Sequence, residues 1–362
     1  MKFSIVTNGT AILRDDVAER IAAAFLAHGA NLADAANGIN FALNLTDGSS
    51  PRAFRRKSQS VFVFSIIQED WADDGLKPRC YTALVKTLSN LLLCVVPSST
   101  RDEPEIYFTT PEAGFYHIPF DAEAVYERLL PIATAHFATE NIFSEDLPER
   151  FRNGSPIVEA IARYGRELEA LGVLPVPFPL REVLSEDALR QLYKIYGITG
   201  ASYGNLSARE DIAGLGDCVF WMTGRGVNKA ALSVVGKDIL LVKGFDEHAG
   251  AALISQPPGA DPAARVSVDA VEHSLIYHTF PEVGAIIHAH AWMDGVVCTR
   301  QNYPCGTREL AAEVVELLAR TPDPCRAAVG LKNHGLTITG VNLEEIFGRI
   351  RGKLLREVAM FP

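Results

Sequence analysis

Over the first part of the chain, apolar β-branched runs alternate with stretches of helical periodicity. Lys2–Thr7, Val61–Ile67, Leu91–Val96 and Glu105–Phe108 read as strands, and Asp15–His28, Tyr81–Leu88 and Ala122–Ala138 as helices. Turn formers and charges then gather in Glu145–Pro156, just ahead of a strong helical pattern, which predicts a boundary near residue 150. Beyond it, helices are expected at Ile157–Leu171 and Glu186–Tyr196, separated by the proline cluster Pro175-Val-Pro-Phe-Pro179. Strands at Val219–Met222 and Ile239–Lys243 lead to a helix at Asp269–Phe280. Strands at Gly284–His290, Ala327–Lys332 and Leu336–Thr339 follow, and a helix at Leu343–Met360 closes the chain. The pattern is α/β throughout, with a smaller α/β domain at 1–148 and a second domain at 149–362.

At 362 residues the chain exceeds the usual size of one hydrophobic core, in keeping with two domains. Its formal charge of −10 offers no basic surface for a phosphate backbone, so neither nucleic acid nor an anionic membrane is an expected partner. The six cysteines show no CxxC pair, which fits a reducing cytoplasm. The start of the chain lacks the charged-then-apolar pattern of a secretory signal, and Leu91–Val96 is too short to span a bilayer. The first domain carries no glycine-rich phosphate loop, and Asn8-Gly9 reads as a turn. No chemistry is assigned to it.

Chemistry concentrates further on. In Val283-Gly-Ala-Ile-Ile-His-Ala-His290, strand alternation turns His288 and His290 to one face, and Lys332-Asn-His-Gly335 offers a third imidazole, His334. Three facial nitrogens suit zinc or another divalent cation with one position open. Taken alone, such histidines also fit a satisfied core pair and a turn residue. A structural metal would normally add cysteine to the ligands, and none is expected to contribute here.

Further motifs occur in order: Gly204-Asn-Leu-Ser-Ala-Arg209, Met222-Thr-Gly-Arg-Gly-Val-Asn-Lys229, Ser267-Val-Asp-Ala-Val-Glu-His-Ser-Leu-Ile-Tyr277, Val283–His290, Tyr303-Pro-Cys-Gly-Thr-Arg-Glu-Leu-Ala311 and Asn333-His-Gly335. Together they resemble the class II aldolase/adducin family over residues 150–362, and the resemblance does not reach the first domain. It implies a mixed sheet flanked by helices and a homo-oligomer, tetrameric in the family. It also implies a zinc-dependent lyase of aldolase type, acting on a small sugar-derived hydroxycarbonyl compound through a metal-stabilised enediolate. A 4-epimerase, a decarboxylase and a non-catalytic adducin-like interaction domain are the alternatives.

By the same resemblance His288, His290 and His334 are the metal ligands, and the family's catalytic carboxylate, nineteen residues before the first of them, falls on Asp269. Asp269, His273 and Tyr277 stand at i, i+4 and i+8 on one helix face, whereas Glu272 is read as a helix-surface residue. Aspartate reaches about 1.5 Å less far than the aldolases' glutamate, judged from a backbone C–C bond. Gly204, Asn205, Ser207, Thr223, Gly224 and Ser267 match a phosphate cradle, although Val268 replaces its second serine. Tyr303 matches a tyrosine that reaches a neighbouring subunit's site, although an aromatic before a proline is more commonly a packing residue.

Overall fold

A computed structural model describes residues 1–34, 38–58, 60–112, 114–172, 186–187, 189–190 and 204–362. The expected helix at Glu186–Tyr196 lies mostly outside the described residues. Two compact units emerge, one made chiefly of Met1–Ala135 and including Met360–Pro362, the other taking most of His136–Ala359.

In the first unit the order is β1 (Lys2–Thr7), α1 (Ile12–Ala27), β2 (Asn31–Leu32), β3 (Phe41–Leu45), β4 (Phe62–Gln68), α2 (Leu76–Thr87), β5 (Leu91–Val96), β6 (Glu105–Thr109), β7 (Phe115–Pro119) and α3 (Ala122–Thr134). Its sheet runs β2-β1-β3-β4-β5-β6-β7, parallel from β2 to β5 and antiparallel thereafter. Parallel strands covered on both faces read as continuous apolar runs, and every residue of Leu91-Leu-Leu-Cys-Val-Val96 is buried. Phe3 stacks on Phe41 at 5.1 Å between centroids, and Phe25 of α1 packs on Phe41 at 4.6 Å, fixing α1 against the sheet.

The second unit begins with β8 (Glu140–Ser144) and α4 (Pro156–Ala170), then β9 (Asn205–Arg209), β10 (Phe220–Thr223), β11 (Ile239–Asp246), β12 (Ala251–Ser255) and α5 (Ala270–Thr279). After these come β13 (Ala285–Ala289), β14 (Val297–Cys298), α6 (Arg308–Ala319), β15 (Ala328–Leu331), β16 (Gly335–Gly340) and α7 (Leu343–Ile350). Its mixed sheet has the order β14-β15-β16-β13-β9-β10-β11-β12-β8. Strand alternation sorts its side chains. Leu206, Trp221, Ile287 and Ile338 join a core with α4 and α7, while Met222, Leu240 and Ile286 join another with α5 and α6. Serine caps α4 through Ser155 Oγ, which accepts from Val158 N, and Asn342 Oδ1 caps α7 by accepting from Glu345 N at 2.8 Å.

Three expectations change. The unit boundary falls ahead of residue 150, because β8 pairs in parallel with β12, Glu140 opposite Ala251, and so belongs to the second sheet. Helix α3 stops at Thr134 rather than Ala138, since Ala135 is extended and Ala138 N donates to Gly306 O at 2.8 Å. The last helix ends at Ile350 rather than Met360. Gly352 adopts a left-handed φ of 72°, and Leu355 then exchanges backbone hydrogen bonds of 2.8 Å with Trp292.

Candidate metal centre

The centre grows from one polar row across three adjacent strands. Antiparallel pairing sets His288 of β13 opposite Thr337 of β16 on one side and Asn205 of β9 on the other, so the three side chains share the face covered by α5. His290 follows the end of β13. His334 arrives by a turn between β15 and β16: Asn333 takes a left-handed φ of 58°, and His334 N donates to Leu331 O at 3.1 Å. Gly335 completes that turn, since a Cβ there would stand 2.3 Å from Ala289 O. The Asn-His-Gly triplet thus has a backbone reason as well as a chemical one.

The three imidazoles pack edge to face around a common centre, with centroid separations of 5.1 Å (His288–His290), 5.0 Å (His288–His334) and 4.9 Å (His290–His334). One ligand nitrogen from each lies within 4.8 Å of the others, and all three residues are buried. His288 Nδ1 is 3.1 Å from Leu336 O, which can only accept, so Nδ1 carries the proton and Nε2 keeps its lone pair. Burial pushes His290 well below the usual histidine range, with His334, His288 and Lys229 adding to it. Burial likewise brings His334 down to about 4, against the pull of Asp269. Burial that favours the neutral forms of His290 and His334 suits the donor set a borderline-soft divalent cation requires, and the residues present fit one.

Asp269 sits just ahead of α5, buried beside the cluster. Asn205 Nδ2 donates to Asp269 Oδ2 at 2.6 Å and to Ser267 Oγ at 3.1 Å. Oδ1 takes no N–H or O–H hydrogen bond. Burial works to raise this carboxyl, but His288, the Cys305 hydrogen bond, His273 and His334 outweigh it and leave it below the ordinary carboxylate range. Beneath it Ser207 Oγ lies 2.7 Å from His273 Nδ1 and 2.8 Å from Tyr277 OH, tying α5 to β9. His273 falls to about 3 through burial.

Glu272 requires a correction. Far from lying on the helix surface, it is 3% exposed and accepts from Thr337 Oγ1 at 2.7 Å. Burial first, then the charge of Asp269, raises it to about 8. Of the residues expected to form a phosphate cradle, Asn205, Ser207, Thr223 and Ser267 are buried, and their polar atoms hold Asp269, the α5 helix and Leu206 N. Gly224 N donates to Asp238 O, and a Cβ on Gly224 would meet Lys237 O at 2.5 Å, which is a packing role. Gly204 has a left-handed φ of 72°. Tyr303 packs against the apolar cluster of α5 and α6.

Two residues escaped the sequence reading. Cys305 Sγ is 3.3 Å from His334 Nε2 and also groups with Asp269 and His288, although no cysteine was expected at the centre. Its place inside the Tyr303–Ala311 motif was the available signal. Lys229, at the end of the Met222–Lys229 motif, is 2% exposed, and burial lowers it to about 8 against the pull of Glu169 and Asp269.

Residues 186–302 match the family model for the class II aldolase and adducin N-terminal domain. That segment of the chain is a class II aldolase/adducin domain. A methylthioribulose-1-phosphate dehydratase of Citrobacter koseri is similar to this chain at 33% identity over 94 residues, 26% of this chain and 37% of that protein. One of Klebsiella pneumoniae is 25% identical over 186 residues, 43% of this chain and 83% of that protein. A solved L-fuculose 1-phosphate aldolase aligns at 18% identity and a TM-score of 0.37, over 55% of this chain and 81% of that one. The match thus spans little more than a third of the Citrobacter relative's length. Among the described residues no helix is long and apolar enough to cross a membrane.

Proposed function

We propose that the second unit is a divalent-cation-dependent lyase of aldolase type, acting on a small sugar-derived hydroxycarbonyl compound. One observation carries this reading: three buried imidazoles with ligand atoms within 4.8 Å of one another, and a buried aspartate beside them. His288, His290 and His334 would hold zinc or a cation of similar preference. Bound there, the cation supplies Lewis acidity to a substrate oxygen.

The remaining steps belong to the chain. Asp269 is ionised, with Oδ2 fixed by Asn205 and Oδ1 left to accept a substrate proton. The Ser207–His273–Tyr277 network holds α5 in register, so the carboxylate keeps its place against the imidazoles. Burial of the cluster keeps water from competing for the proton.

Dehydration is the second reading, supported by the name that the Citrobacter and Klebsiella relatives carry. It uses the same base, placed against the carbon next to the carbonyl, and expels a hydroxide instead of an aldehyde. Epimerisation and decarboxylation demand the same groups. An interaction domain does not, because a docking surface has no use for converging buried imidazoles. The reading extends to a homo-oligomer in a reducing cytoplasm, with the small-molecule substrate as its partner.

The test is a screen of phosphorylated and unphosphorylated ketoses with zinc-loaded and chelator-stripped protein. Two carbonyl fragments indicate carbon–carbon cleavage, and one product of unchanged carbon count that has lost water indicates dehydration. Turnover equal in stripped and loaded protein, or zinc bound equally by His288→Ala, sinks the proposal.

A further inference from the structure

Cys305 is held against the histidine cluster from both sides. Gly306, with a left-handed φ of 75°, leaves no room for a side chain: a Cβ there would meet Thr139 Cγ2 at 2.5 Å. Its carbonyl accepts from Ala138 N at 2.8 Å. Thr307 caps α6 while its Oγ1 donates to Pro304 O at 2.7 Å, so the residues on either side of Cys305 are fixed to an N-terminal helix cap. The sulfur's position is therefore part of the fold.

The place it occupies is informative. Sγ stands 3.3 Å from His334 Nε2, and Sγ, one nitrogen of His288 and one carboxylate oxygen of Asp269 lie within 4.8 Å of one another. A cation with bonds of about 2.0–2.1 Å to nitrogen and about 2.3 Å to sulfur, at angles between a right angle and the tetrahedral value, sets N and S roughly 3.1–3.6 Å apart. The observed separation falls inside that interval. Asp269 belongs to the same group, and its Oδ1, buried and without an N–H or O–H partner among the described residues, marks the group as a place for a ligand.

We infer that Cys305 is a further protein donor to the cation, beside His334 and His288, so that this chain offers a thiolate as well as imidazoles. This rests on the three-histidine reading above. A thiolate favours zinc and other soft or borderline cations over magnesium or calcium, which take oxygen ligands. Cys305 is also partly exposed while the three histidines are buried, which makes the sulfur the donor that an incoming substrate oxygen can displace.

Cobalt(II) substitution of the full-length protein tests it without reference to turnover. Wild type is expected to show visible ligand-field bands together with a near-ultraviolet thiolate-to-cobalt charge-transfer band. Cys305→Ser and Cys305→Ala should lose the charge-transfer band and keep the visible bands. Their zinc affinity should fall by more than the roughly 10–100-fold that an outer-shell partner commands. Cys298→Ser, matched to wild type by circular dichroism like the others, should retain both. Visible bands without charge transfer in wild type, or charge transfer surviving in both Cys305 variants, overturns the thiolate assignment and leaves the histidine site standing. Failure of wild type to bind cobalt at all removes both.

Discussion

The two units bury polar side chains in opposite ways. In the first, Asn44 Nδ2 donates to Ser65 Oγ at 2.9 Å, Ser65 Oγ meets Ser89 Oγ at 2.6 Å, and Ser89 meets Thr87 at 2.9 Å, a line of an amide and hydroxyls tied at its ends to the Arg52 and Ala83 carbonyls. In the second, Thr337, His288 and Asn205 form a row of the same kind, but α5 and the Asn-His-Gly turn lay Asp269, Glu272 and His334 over it. The first row carries no group that titrates, whereas the second carries carboxyls driven apart in opposite directions and imidazoles held neutral. Shifted ionisation in the first unit appears in surface pairs such as Arg20–Glu103 and Asp73–Arg79, and at the buried Cys94 thiol, which its hydrogen bond with Cys80 and burial push up. A buried polar network therefore does not by itself mark a site. Titratable groups forced to differ in one water-poor place do.

The contrast fails first if the histidines do not act together. His334→Ala should lower zinc affinity well beyond 100-fold, more than loss of an outer-shell partner, and abolish turnover, as read by metal analysis after dialysis. Retained zinc would mean the three rings are core packing. Next in size, Asp269→Asn should keep the cation and lose turnover by about 10²–10⁴, the usual contribution of a positioned acid or base. Loss of zinc together with activity would instead make Asp269 a ligand.

Much of this contrast was legible in the sequence, and the parts that were not share a cause. His288 and His290 announce themselves by the period of a strand, and Leu91–Val96 by an unbroken apolar run. Strand β12 reads Ala-Ala-Leu-Ile-Ser, too rich in alanine to stand out from a helix, and β8, Glu-Asn-Ile-Phe-Ser, is short and half polar. Both are held by their neighbours rather than by their own preference, so the unit boundary was displaced with them. At the site, periodicity marked the face of α5 bearing Asp269 but turned Glu272 outward, since only tertiary packing shows that β16 covers the adjoining face with Thr337. Cys305 showed in the sequence only as a member of the Tyr303–Ala311 motif, because its place is set by a helix cap and a left-handed glycine, not by a spacing.

A cavity in the first unit separates its stability from the chemistry. Leu93 of β5 is wholly buried, and Leu93→Ala should cost about 2–5 kcal/mol in urea unfolding while zinc stoichiometry stays unchanged. Loss of zinc in a variant that remains folded would mean that the cation site draws on the first unit.

The last effect, spread over several pH units, addresses Glu272. Its folded value of about 8 stands above the ordinary 4.5, so the folded chain keeps a proton that the unfolded chain releases between those values. The stability this contributes is fully present below about pH 4.5 and drains away as pH rises toward 8. Glu272→Gln copies the protonated acid and can still accept from Thr337 Oγ1, so it removes that drain. In metal-free protein the variant should gain on wild type across this window by at most about 1.4 kcal/mol per pH unit, the slope of a single proton. Urea midpoints at pH 5, 6.5 and 8 would show the two curves diverging upward. Parallel curves would mean that Glu272 is ionised in the folded chain, and that the row in the second unit holds a pair of like charges rather than a carboxylate beside its neutral acid.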